Sequence, residues 1–240
     1  MGYHSSPILA FLMTLLNIRL GWWLGNPGVY GQDTSRRSHP GISILPMLDE
    51  AFGRTDDTSR YVYLSDGGHF DNLGLLEMTL RRCHLIVVSD AAADRDCVFH
   101  DLGNAIRKIR VDLGVPITID GMLRIFSRAS GKLGKYCAVG TIDYQAVDGP
   151  DAVNGRLLYI KPCVYGGEPV DLFNYAEASQ DFPHETTMDQ WFTESQFESY
   201  RMLGLHTIAE IANGAWDAAD FGDFLKRVDD YLKPPTPASS

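Results

Sequence analysis

The strongest constraint on the fold is the order of elements between Tyr61 and Asp90. "YVYL" at 61–64 reads as a buried strand, and the polar stretch "SDGGHFD" follows it. Leu73, Leu76 and Leu80 then recur at helical spacing, with Arg81 and Arg82 as a positive helix end. "HLIVVSDA" closes the segment as a second strand ending at Asp90. Its fully apolar middle predicts burial on both faces, as in a parallel sheet. Strand 61–65, helix 72–82 and strand 85–89 together predict a βαβ unit, and hence an α/β fold. "FHDLGNAIRKIRVDLG" predicts another helix, capped by Asp101, with Leu102, Ala105, Ile106 and Ile109 facing inward and Gly114 and Pro116 ending it. Strands follow at 117–120, 136–144 and 156–164. The last two form an antiparallel hairpin with a long loop, on the edge of the sheet. Two amphipathic helices, "YRMLGLHTIAEIA" and "FGDFLKRVDDYL", complete one domain over residues 1–232, and "KPPTPASS" at 233–240 reads as a disordered tail.

The N-terminal run from Ile8 to Leu16 is apolar but is broken by Asn17 and Arg19. It is shorter than the roughly 20 residues that span a bilayer. A core helix starting near Pro7 is the expectation, with Trp22 and Trp23 just beyond it; an interfacial helix is the alternative. The chain has 240 residues, 45% of them hydrophobic and 22% charged, and a formal net charge of −10. That charge argues against a nucleic-acid partner, because phosphate repulsion opposes it. The four cysteines form no C-x-x-C pair and the seven histidines no H-E-x-x-H spacing. Reduced buried thiols fit better than a disulfide framework or a zinc site, and no cofactor is expected.

Asp66, followed by Gly67 and Gly68, falls at the end of a strand, where sites form in open α/β sheets. Two glycines admit φ > 0 and let another group come close. A carboxylate so placed suits a proton acceptor; the alternative is a carboxylate that only closes a strand-to-helix turn. Asp71 and Asn72 read as caps of the following helix, His69 as a polar neighbour of the pocket, and Asp90 as a turn carboxylate. A metal site pairing Asp66 with Asp90 lacks an evident third oxygen ligand. Phe182, Trp191 and Phe192 are large enough to need cover by packing.

"LSDGGHFDNLGLLEMTLRRCHLIVVSDAAAD" resembles the C-terminal catalytic segment of patatin-like acyl hydrolases, in the bacterial branch related to cytosolic phospholipases. "FHDLGNAIRKIRVDLGVPI", "AVGTIDY" followed by "YIKP", and "FPHETTMDQWFTESQFESYRMLG" carry the resemblance onward, and "MGYHSSP" and "NIRLGWWLGNP" extend it to the start. The resemblance implies a three-layer α/β/α sheet, present here in part. It implies a serine–aspartate dyad without histidine, acting on lipid esters, with Asp66 as base and Gly67, Gly68 and His69 in the loop nearest substrate. The nucleophile elbow G-x-S-x-G does not occur in this sequence, nor does a glycine-rich oxyanion loop. The expectation is therefore the aspartate-bearing portion of a longer enzyme, inactive alone, whose remaining N-terminal part belongs to the same polypeptide. The alternative is a non-catalytic module that binds lipid or protein. The expected partners are a lipid ester and a membrane surface. The expected location is the cytoplasm or the cytoplasmic face of a membrane.

Overall fold

The computed structural model describes residues 21–42, 44–52, 54–120, 124–186, 189–214 and 220–233. The predicted helix over Ile8–Leu16 and the tail beyond Lys233 lie outside the described residues. The chain forms two compact units, Met1–Asn72 and Leu73–Ser240.

In the first unit, strand β1 (Trp22–Gly25) pairs antiparallel with β2 (Tyr61–Leu64), Trp22 opposite Leu64 and Gly25 opposite Tyr61. Trp22 and Trp23 thus belong to a strand, where large aromatic side chains pack well across a pleat. The rings of Trp23 and Tyr63, paired across the strands, stand 5.2 Å apart. Helix α1 (Ile44–Ala51) lies between the strands in sequence. The connecting loop is held by two buried polar side chains. Asn26 Nδ2 donates to the Asp57 and Ser59 carbonyls, both at 2.7 Å, and Thr34 Oγ1 donates to the Arg60 carbonyl at 2.6 Å. Gly25 is required there, because a Cβ would sit 1.6 Å from the Thr34 carbonyl oxygen.

In the second unit, a four-stranded sheet runs in the order β3–β6–β5–β4. Its strands are β3 (Leu85–Ser89), β4 (Ile117–Asp120), β5 (Cys137–Ile142) and β6 (Gly155–Ile160). β3 pairs parallel with β6, while β6–β5 and β5–β4 are antiparallel. The helices are α2 (Leu75–Leu80), α3 (His100–Asp112), the short α4 (Gln145–Asp148), α5 (Val170–Ala178), α6 (Glu194–Ile211) and α7 (Phe221–Leu232). Leu102, Ala105 and Ile109 of α3 are buried in one core with Ile86, Val88, Ala138, Leu157 and Leu158. Leu172, Phe182 and Leu203 form a second, smaller cluster. α6 begins with a capping box: Thr193 Oγ1 accepts the Gln196 N–H at 3.1 Å, and Gln196 Oε1 accepts the Thr193 N–H at 3.3 Å.

The chain is mixed α/β, as expected, but three expectations change. The βαβ unit does not form, since β2 pairs with β1 and β3 belongs to a different sheet. β3 is not buried on both faces. It is an edge strand whose burial alternates, and Val87 is 44% exposed. Burial on both faces belongs instead to β6, where Leu157, Leu158 and Tyr159 are wholly covered. The hairpin β5–β6 pairs the two predicted strands antiparallel but occupies the middle of the sheet, because β3 and β4 take the two edges.

Candidate functional site

Asp66 follows β2 in extended backbone (φ −60°, ψ 129°) and caps a single 3-10 turn at Gly67–His69. Its Oδ1 accepts the Gly68 N–H at 3.0 Å. The Phe70 and Asp71 N–H groups both return to the Gly67 carbonyl at 2.9 Å, which winds the turn tightly. The carboxylate is exposed, and among the described residues its Oδ2 accepts no hydrogen bond. The two glycines differ in role. A Cβ on Gly67 would meet nothing within 4 Å, so the space over that residue is open. A Cβ on Gly68 would lie 2.5 Å from Asn72 Oδ1. Neither glycine uses the positive φ open to it, because a 3-10 turn needs ordinary right-handed dihedrals. His69 contributes its backbone to the turn, and its side chain lies outside the described set.

Asp71 and Asn72 do not cap the next helix. The N-cap of α2 is Gly74, in the left-handed region at φ 65° with no side-chain bond, a conformation suited to a residue without Cβ. In the same way Asp101 lies in the first turn of α3 and is not its cap. Asp94 closes the approach to that helix, its two oxygens accepting the Val98 and Phe99 N–H groups at 2.9 Å each.

Asp90 is more than a turn carboxylate. It ends β3 with 2% of its surface exposed, and its Oδ1 accepts the Ala92 N–H at 3.0 Å. Its Oδ2 accepts the Tyr159 hydroxyl and, at 3.3 Å, the Lys161 ammonium. Lys161 is fully buried and also reaches Asp94 Oδ2 at 3.4 Å. Burial opposes charge on Asp94, but the Phe99 and Val98 N–H groups and then Lys161 outweigh it and hold its carboxyl below the ordinary value. Burial and the bond to Asp90 push the Tyr159 hydroxyl far above its ordinary value, so it stays a donor. The sequence offered one sign of this network, an aspartate at a strand end. Lys161 sits just after an apolar strand and carried no such sign. Among the described residues, no group of three or more His, Cys, Asp or Glu is arranged to hold a metal ion.

Two cavities flank these elements, each within its own unit. In the first unit, about 530 Å³ is lined by Trp23, Arg37, Ile42, Leu45, Arg60 and Tyr61 among others. Tyr61, the first residue of β2, lines it, and Asp66 does not. In the second unit, about 230 Å³ is lined by Ala91, Glu185, Thr186, Phe192, Phe197 and Tyr200. Phe182 is buried as expected, but Trp191 is 89% exposed and Phe192 61%, so the packing expected for these two does not occur. No described helix is long and apolar enough to cross a membrane. No family model, no curated protein and no solved structure matches this chain.

Proposed function

We propose that this chain is the aspartate-bearing portion of a patatin-like serine–aspartate acyl hydrolase acting on lipid esters, with Asp66 as the base. One observation supports the reading above others. Asp66 is exposed, with Oδ1 tethered by the Gly68 N–H, Oδ2 without a hydrogen bond among the described residues, and open space over Gly67. A base must be oriented yet reachable, and this turn meets both needs. The serine and the oxyanion donors come from polypeptide outside this sequence, which also supplies the further strands of a three-layer α/β/α sheet. Asp66 Oδ2 takes the serine proton as the hydroxyl oxygen attacks the ester carbonyl. The proton passes to the departing alkoxide, and water then releases the acyl group by the same route.

A fluorophosphonate probe and a short p-nitrophenyl ester test this. The 240-residue chain alone is expected to take up no probe and to hydrolyse no ester above buffer. A longer polypeptide that supplies the serine is expected to do both, and Asp66→Asn in it to lower turnover by at least about 100-fold. Unchanged turnover in that variant, or serine-dependent turnover by the chain alone, would remove Asp66 from the mechanism.

A second reading, a non-catalytic lipid-binding module, draws on the exposure of Phe192 and Phe197, which line the cavity at Ala91, and of Trp191 next to Phe192 in sequence. Cosedimentation with phosphatidylcholine vesicles, lost in Trp191→Ala, favours it. Equal sedimentation of both proteins counts against it.

A further inference from the structure

The cavity of the second unit at Ala91 combines aromatic walls with a carboxylate. Phe192, Phe197 and Tyr200 line it together with Glu185 and Thr186, and its volume is about 230 Å³. Phe192 and Phe197 stand on either side of the Thr193 cap of α6, just before it and four residues after it, where two apolar side chains often pack on each other. Here both stay largely exposed, and among the described residues neither makes a ring contact. Tyr200, three residues beyond Phe197, shares its side of the helix. It is fixed in place: its ring meets Phe182 edge-on at 4.9 Å, and its hydroxyl accepts the Glu185 N–H at 3.3 Å.

Among the described residues, only neutral donors hold the Glu185 carboxylate. Its Oε1 accepts the Tyr175 hydroxyl at 3.0 Å and the Ser179 hydroxyl, and its Oε2 accepts the Gln196 amide at 2.8 Å. The same amide reaches Asp189 Oδ2 at 3.1 Å, which brings a second carboxylate beside the first. Among the described residues, no lysine, arginine or histidine pairs with either carboxylate, and none lies over the three rings. Arg201, next to Tyr200 in sequence, is taken up by Glu198 at 2.7 Å. The start of α6 adds an opposing positive end of roughly half a charge, which two carboxylates exceed.

We propose that this cavity binds a trimethylammonium cation of the choline type. Aromatic faces attract a large, weakly hydrated cation electrostatically, and the carboxylates add a longer-range pull. The same walls disfavour other ligands. An anionic head meets two carboxylates without a counter-ion, and a compact ammonium gives up strong hydration on meeting the rings. The volume of about 230 Å³ lies below the roughly 300–1,000 Å³ of sites that enclose drug-sized ligands, so a head group fits and a whole lipid does not. The inference does not depend on Asp66, which is not part of this cavity, and it narrows the lipid-binding reading to one head-group chemistry.

Amide NMR of the native chain with choline chloride is expected to show saturable shifts at Phe192, Phe197 and Tyr200, with a Kd on the order of 1 mM. Neutral dimethylbutanol, in which carbon replaces the choline nitrogen, is expected to bind at least about 5-fold more weakly. Phe197→Leu, at an exposed position, is expected to weaken choline binding by at least about 3-fold and to leave the neutral analogue unaffected. Equal affinity for the two ligands, or no saturable shift with choline, overturns the proposal. Vesicles then identify where the cation comes from. Sedimentation with phosphatidylcholine but not phosphatidylglycerol, competed by choline, assigns a lipid head group; choline binding without sedimentation assigns a free soluble compound. Sedimentation with both lipids and no choline binding leaves the lipid-binding reading standing and removes this one. The comparison of ligands uses the unaltered chain, so a variant that fails to fold does not decide the result.

Discussion

Replacing Lys161 by Met removes the ammonium that reaches both Asp90 and Asp94 while keeping most of the buried volume. Lys161 is fully buried, and the side chains of Asp90 and Asp94 are 2% and 9% exposed. Breaking such a cluster from one side costs about 3–5 kcal/mol, because a charge stays buried without its counter-ion. The lower end applies here, since each carboxylate keeps other donors. Asp90 retains the Ala92 N–H and the Tyr159 hydroxyl, and Asp94 retains the Val98 and Phe99 N–H groups. In a unit the size of residues 73–240, about 3 kcal/mol corresponds to a Tm lower by about 6–12 °C. Far-UV circular dichroism melts at neutral pH read this directly. Adding Asp90→Asn to Lys161→Met removes one uncompensated charge while keeping an acceptor, so the double variant is expected to recover part of the loss. If the two substitutions simply add, or if Lys161→Met alone moves Tm by less than about 2 °C, the charge argument fails.

Three further outcomes follow from the same structure. Thr193→Ala removes the side-chain acceptor of the α6 capping box and is expected to cost about 1 kcal/mol, read as a Tm lower by about 2–4 °C. Gly25→Ala drives a methyl into the Thr34 carbonyl and is expected to cost at least about 1–3 kcal/mol in the first unit, with faster limited proteolysis of residues 26–60. Asp94 has a folded pKa below its unfolded value, so its contribution is present above an unfolded pKa of about 3.9 and disappears as pH falls through the lower folded value. The Tm gap between the native chain and Asp94→Asn is therefore expected to be full at neutral pH and to close below about pH 4; a gap independent of pH refutes it.

An open sheet edge gives the elements their common lesson. Burial on both faces, as in a parallel sheet, is the expectation for β3 because its middle is fully apolar. It lies at the edge, and Val87 faces outward. An apolar run does not say which neighbour covers it. The position of β3 at the edge of its sheet fits the proposal that further strands come from elsewhere, since strand edges invite pairing.

Local chemistry was legible from residue order alone. Helical spacing placed α3 and its buried stripe of Leu102, Ala105 and Ile109, and strand runs placed β4, β5 and β6 with their antiparallel hairpin. Asp66 could be read as the end of a strand before a turn, because an aspartate and two glycines act within four residues of backbone. What pairs with what required the tertiary structure. β1 meets β2 across more than thirty residues of chain, and Lys161 meets Asp90 and Asp94 from a different strand. Asp94 and His184 meet from segments 90 residues apart. Spacing along a chain governs local geometry, whereas long-range contacts depend on which buried groups find partners that offset their lost hydration, and that is decided only when the whole core closes.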